Sequence, residues 1–146
     1  MSKNYKNIFS MKGKNKYGYE KNNFGIVRIS IGINNIINAL NEILPTTSIK
    51  ILLETMAGKG SELGKNFLEI KRIIDGVNEK DKIGICLDTC HLSDSGYDIS
   101  DFDKILDELE SLGLLSKVLC IHVNDSKNSR GAKKDRHENF GFAEVG

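Results

Sequence analysis

The sequence predicts an α/β chain built of parallel βα units, and three observations carry that expectation. Short apolar runs, IKILL, KIGICL and KVLCIHV, recur along the chain. Between them lie stretches with apolar residues at three- and four-residue steps, the period of an amphipathic helix. Each apolar run breaks off into carboxylate or imidazole side chains, as strands do whose carboxyl ends carry chemistry.

Residues 1–23 form a polar lead-in rich in Lys, Asn, Gly and Tyr, without a sustained period, and are expected to be loop or disordered. Tyr17 and Tyr19 within it offer stacking surfaces, with an exposed loop as the plainer reading. From Gly25 the pattern changes: Ile26, Ile29, Ile33, Ile36, Ile37, Leu40 and Leu44 mark one amphipathic helix that ends before Pro45. The first strand, Ile49–Leu53, ends abruptly at Glu54-Thr55, and charge at the end of a buried strand is costly unless something pairs with it. The turn Ala57-Gly58-Lys59-Gly60 leads through Ser61 into a helix striped by Leu63, Phe67, Ile70, Ile74 and Val77, with Gly76 as its capping glycine.

A second strand, Lys82–Leu87, ends in Asp88-Thr89-Cys90-His91. A loop carrying Ser93, Asp94, Gly96 and Asp98 is expected next, and Asp94, Asp98 and the later Glu138 are read as exposed loop acids. From about Asp101 a helix places Phe102, Ile105, Leu106, Leu109 and Leu112 on one face, opened by a capping-box-like Ser100/Asp103 pair and closed by Gly113. Lys117–Val123 is the third strand.

The 146 residues suit one domain, and 39% hydrophobic with 28% charged residues is an ordinary globular composition. With 21 Lys plus Arg against 20 Asp plus Glu, the net charge of +1 leaves any nucleic-acid partner to local clustering. Neither a secretory leader nor a membrane span is expected, for want of an apolar leader region or a run of roughly 18 apolar residues. Cys86, Cys90 and Cys120 form no CxxC pair and read as reduced, mostly buried thiols of a cytoplasmic protein.

Six residues stand out as candidate metal ligands: Glu54, Asp88, His91, His122, Asp135 and His137, which include every histidine in the chain. Carboxylate oxygen and neutral imidazole nitrogen both suit zinc. Parallel βα units would gather Glu54, Asp88, His91 and His122 along one rim, and the loop pair Asp135 and His137 leaves from that same rim. Each has a plainer alternative: a solvated carboxylate for Glu54, a turn former for Asp88, hydrogen-bonded core histidines for His91 and His122, a charged loop for Asp135 and His137. Five cations in the last loop, Lys127, Arg130, Lys133, Lys134 and Arg136, fit either phosphate contact or simple solubility.

Three segments, LLETMAGKGSELG, IGICLDTCHLSDSGYD and IHVNDSKNSRGAKKDRHENFG, resemble the endonuclease IV family of apurinic/apyrimidinic endonucleases, in order from Phe24 to the C-terminus. The resemblance implies a TIM (β/α)8 barrel with three zinc ions that cleaves double-stranded DNA on the 5′ side of abasic sites. Carried onto this chain, it makes Glu54 the catalytic carboxylate bridging two zincs, with Asp88 and His122 on one of them. His91, Asp135 and His137 become the ligands of the remaining zinc, and the five cations become DNA-phosphate contacts.

Such a barrel has eight strands and this sequence shows three, without two histidines expected ahead of Glu54 or a final glutamate. Residues 24–146 are therefore expected to be an incomplete barrel nuclease domain holding fewer zincs. It should have little turnover alone and open sheet edges that pair with a complementary fragment or with themselves. Two rivals remain at this point: a one-metal sugar isomerase or epimerase of the related barrel superfamily, and a metal- or DNA-binding remnant without chemistry.

Overall fold

A computed structural model describes residues 23–144. The lead-in, with Tyr17 and Tyr19, lies outside the described residues except for Asn23. Helix α1, Asn23–Ile43, follows from the isoleucine stripe: Ile33 and Leu40 are buried, and Ile29, Ile36 and Ile37 pack against the same core. A 3-10 turn, Leu44–Thr46, ends it at Pro45, which has no amide hydrogen to continue the ladder.

Strands β1 (Ile51–Glu54), β2 (Ile83–Asp88) and β3 (Val118–His122) form a parallel sheet in the order β1-β2-β3. Register pairs Leu52 with Gly84, Glu54 with Cys86, Cys86 with Cys120, and Asp88 with His122. Because side chains alternate along a strand, Leu52, Glu54, Gly84, Cys86, Asp88, Cys120 and His122 share one face. The other face, Ile51, Leu53, Ile83, Ile85 and Leu87, packs under α1, under α2 (Phe67–Gly76) through Phe67, Ile70, Ile73 and Ile74, and under α4 (Phe102–Ser111) through Ile105 and Leu109. Each fully buried side chain of this kind contributes about 1.5–3 kcal/mol. Gly84 sits where the strands crowd: a Cβ there would lie 2.6 Å from a Leu52 methyl and 2.7 Å from one of Leu119.

Four local expectations are corrected. The second helix begins at Phe67 and not near Leu63, because Gly64 turns the chain at φ 89° and Asn66 caps the helix by accepting from the Glu69 amide at 2.9 Å. Gly76 is no left-handed cap; it is the last residue of α2, and its missing Cβ admits Ile37 of α1, whose Cδ1 would be 2.5 Å away. The expected loop after β2 opens as a helix, α3 (Thr89–Ser95), closed by Gly96 at φ 116°. Ser100 does not cap α4: its hydroxyl and amide both donate to Asp98, at 2.6 and 3.2 Å, within a 3-10 turn over Ile99–Asp101. Gly113, at φ 68°, does follow the end of α4 as expected.

After β3 the chain forms a small antiparallel ladder of β4 (Asp125–Ser126) with β5 (His137–Glu138), which returns the last loop to the carboxyl ends of the strands. No helix among the described residues is long and apolar enough to cross a membrane.

Candidate metal centre

Asp88 is where the local chain and the site first meet. It ends β2 and caps α3, one carboxylate oxygen accepting from the His91 amide at 3.0 Å. The cap fixes His91 on the first turn of α3, in a stretch where the sequence predicts only loop. The other oxygen of this fully buried carboxylate accepts from the Asn124 side chain at 2.7 Å and lies 3.6 Å from His122 Nδ1. Glu54, at the end of β1, reaches the same nitrogen at 3.1 Å and lies 3.7 Å from His91 Nδ1. Glu54, Asp88 and His122 thus form one group with its ligand atoms mutually within 4.8 Å.

His91, Asp135 and His137 form a second. The Thr55 carbonyl, 2.7 Å from His91 Nδ1, can only accept, so Nδ1 carries a hydrogen and, in the neutral ring, Nε2 keeps a lone pair. That lone pair faces Asp135 Oδ1 at 2.9 Å and His137 Nε2 at 3.1 Å, and Asp135 Oδ1 to His137 Nε2 closes the triangle at 3.4 Å. Electron-rich atoms this close call for a cation among them. A tetrahedral ion with bonds of 2.0–2.2 Å has edges of roughly 3.3–3.6 Å, within a few tenths of an ångström of these sides. Burial works against a charged His91 ring, but the Asp88 charge, the Asp135 contact and the Thr55 carbonyl together raise its pKa above the ordinary value. All six candidate ligands therefore come together, in two triads, and the donor set fits divalent metal ions.

Asp135 arrives there through a loop whose support the sequence does not reveal. Asp94 is fully buried, not an exposed loop acid. One of its oxygens accepts from the amides of Lys134 and Asp135, at 2.9 and 2.7 Å, and the other accepts from the Ser126 hydroxyl at 2.7 Å. Its carbonyl accepts from the Lys133 amide at 3.1 Å, and the Ser93 carbonyl, already bonded to the Gly96 amide at 2.9 Å, accepts from Gly131 at 2.8 Å. These bonds hold Lys133 and Asp135 at φ 56° and 57°, a region that non-glycine residues seldom adopt. Asp98 is exposed as expected, whereas Glu138 is half-buried and paired with Lys127.

Of the five cations, Lys127 pairs with Glu138 at 3.1 Å and Arg130 with Asp98 at 2.5 Å. Contact with Ser100 first, and then with Arg130, holds the Asp98 carboxyl below its usual range. Lys133, Lys134 and Arg136 are exposed around Asp135. Sequence reasoning also missed Thr55, Asn124 and Thr89, whose hydroxyl accepts from the Asn124 amide at 2.8 Å. The polar break after each apolar run was the signal available for them.

Parallel βα units with carboxylates and imidazoles at their carboxyl ends describe a barrel-type chain with side chains that could hold metal ions. Comparison with known proteins names the group. The chain belongs to the family of xylose isomerase-like TIM barrels, whose match covers residues 17–146. It is 50% identical over 120 residues to the probable endonuclease 4 of Staphylococcus aureus strains JH9 and Newman, spanning 81% of this chain and 40% of the length of each relative. The crystal structure of endonuclease IV from Thermus thermophilus superposes with a TM-score of 0.56 at 31% identity, over 65% of this chain and 34% of that one. The endonuclease IV resemblance and the partial-barrel fold class are both borne out.

Proposed function

We propose that this chain carries a large part of the active site of a zinc-dependent DNA-repair endonuclease that cuts the backbone on the 5′ side of abasic sites. The observation that carries the reading is the convergence of six ligand-type side chains into two triads at one end of a parallel sheet. In this reading His91, Asp135 and His137 hold one zinc, Asp88 and His122 hold another, and Glu54, the catalytic carboxylate, joins Asp88 and His122 on that second zinc and would bridge it to a further ion. Zinc, when bound, supplies Lewis acidity toward a phosphodiester oxygen and toward the attacking water. The chain's own residues orient the site: Thr55 sets the His91 tautomer, Asn124 holds Asp88, and Asp94 presents Asp135. Lys133, Lys134 and Arg136 offer positive charge to a DNA backbone, with Lys127 and Arg130 available at the cost of exchanging their acid partners.

Since the chain spans 40% of its curated relatives, the fitting test is a chimera. The matching segment of the Staphylococcus aureus relative is replaced by this chain's own, and the product is incubated with a duplex holding one abasic site. Zinc-dependent incision on the 5′ side is expected, and it disappears with chelator and with His137→Ala. A chimera that folds and binds zinc yet leaves the duplex intact overturns the reading. The chain by itself should incise far more slowly than the relative.

A sugar isomerase would use one metal, and the His91–Asp135–His137 triad has no place in such a site. Metal analysis of the dialysed chain is expected to give two zincs per chain; one would favour the isomerase. A salt-dependent DNA shift with no cleavage by the chimera would favour the non-catalytic remnant. We place the protein in the cytoplasm, where DNA and reduced thiols coexist.

A further inference from the structure

We propose that Cys86 and Cys120, with His122 shared from the Glu54–Asp88–His122 triad, form a second, alternative site for a soft, thiophilic cation such as Cd(II) or Cu(I), one sheet layer below the carboxylate–imidazole triads. Cys86 and Cys120 are register partners on adjacent parallel strands, and each stands two residues before a ligand candidate, Asp88 and His122, on the same face. Their two sulfurs and a His122 nitrogen lie mutually within 4.8 Å. A tetrahedral ion with metal–sulfur bonds of 2.3 Å separates two sulfurs by roughly 3.8 Å, so a small side-chain adjustment closes the set.

Hardness decides the occupant. The upper triads offer oxygen and nitrogen, which suit zinc and harder ions, while paired thiolates select soft ions. The register makes the pair possible: a β-bulge between Ile85 and Cys86 shifts β3 so that Cys120, and not Leu119, faces Cys86. Cys90 is elsewhere, on α3, and the group it forms with Asp88 and His137 has a single sulfur and borrows from both upper triads. On binding, each thiol releases its proton to solvent as its sulfur–metal bond forms, and no electrons are transferred.

The full chain, reduced and freed of metal, is titrated with Cd(II). A thiolate-to-cadmium charge-transfer absorbance is expected to saturate at one ion per chain. In the same unaltered protein, Cys120, the partly exposed thiol of the pair, should become protected from alkylation on Cd(II) binding, as mapped by mass spectrometry. The absorbance should vanish in Cys86→Ser and in Cys120→Ser and persist in Cys90→Ser. Absorbance that survives both serine variants, or alkylation of Cys120 unchanged by Cd(II), overturns the proposal. The alkylation map needs no variant, so a serine variant that fails to fold does not spoil the test. The result is independent of whether the chain cuts DNA.

Discussion

Asp94 shows how much one buried carboxylate can organise. It holds two consecutive amides and a hydroxyl, and through them it fixes Asp135 at a positive φ beside His91 and His137. Replacing it by alanine leaves those donors unpaired and frees the loop. We expect Asp94→Ala to weaken the zinc held by His91, Asp135 and His137 about 10–100-fold, the usual effect of losing a partner that orients a ligand, with the fold retained. Competition with a chromogenic chelator measures it, and unchanged affinity would remove Asp94 from the argument. Nothing in the local sequence distinguished Asp94 from Asp98, since both are acids near a glycine in a polar stretch. Its burial depends on a loop some 40 residues later folding back over α3, a long-range event that no local pattern records. Glu54, Asp88, His91 and His122 were legible for the opposite reason: each lies at the end of an apolar run, and an abrupt change from apolar to charged or imidazole side chains is a local signal. Asp135 and His137 stood out only as an Asp-x-His pair in a basic loop.

At the scale of elements, strands and long helices were legible because their burial repeats. α3 was not, because a seven-residue helix is too short for a 3.6-residue period to show. Its boundary residues were nevertheless present, Asp88 as cap and Gly96 as stop. The start of α2 carries a similar device. Glu69, fully buried, accepts from the Gly64 amide at 2.8 Å and so clamps the turn that follows Glu54 and Thr55. Glu69→Ala leaves that amide unpaired in a buried setting and is expected to cost about 1–3 kcal/mol, read from urea unfolding midpoints at constant slope. A change within error would mean that the turn is held by the Met56–Gly64 backbone bond alone.

For the whole molecule, β1 and β3 each have only one neighbouring strand among the described residues, and Leu119, Ile121 and Val123 are exposed apolar residues on or just past β3. An open edge of this kind favours pairing with another chain. The purified chain is expected to self-associate as its concentration rises, and Ile121→Lys to shift it toward monomer, both visible by sedimentation velocity. A single monomeric boundary across the micromolar range would contradict this. The parallel order and the rim were foreseeable from alternating βα segments. The bulge that aligns Cys86 with Cys120 was not, because register is set by how two strands meet.

The short helix α3 is a shared strut: Asp88 at its base belongs to one triad, His91 on its first turn to the other, and Asp94 near its tip secures the loop that completes the second. A rod less than two turns long can only tilt as a unit. Loading either cup should therefore steady its neighbour, so that zinc uptake by the chain is sigmoidal. Two independent binding steps in a calorimetric titration would show that the strut does not transmit.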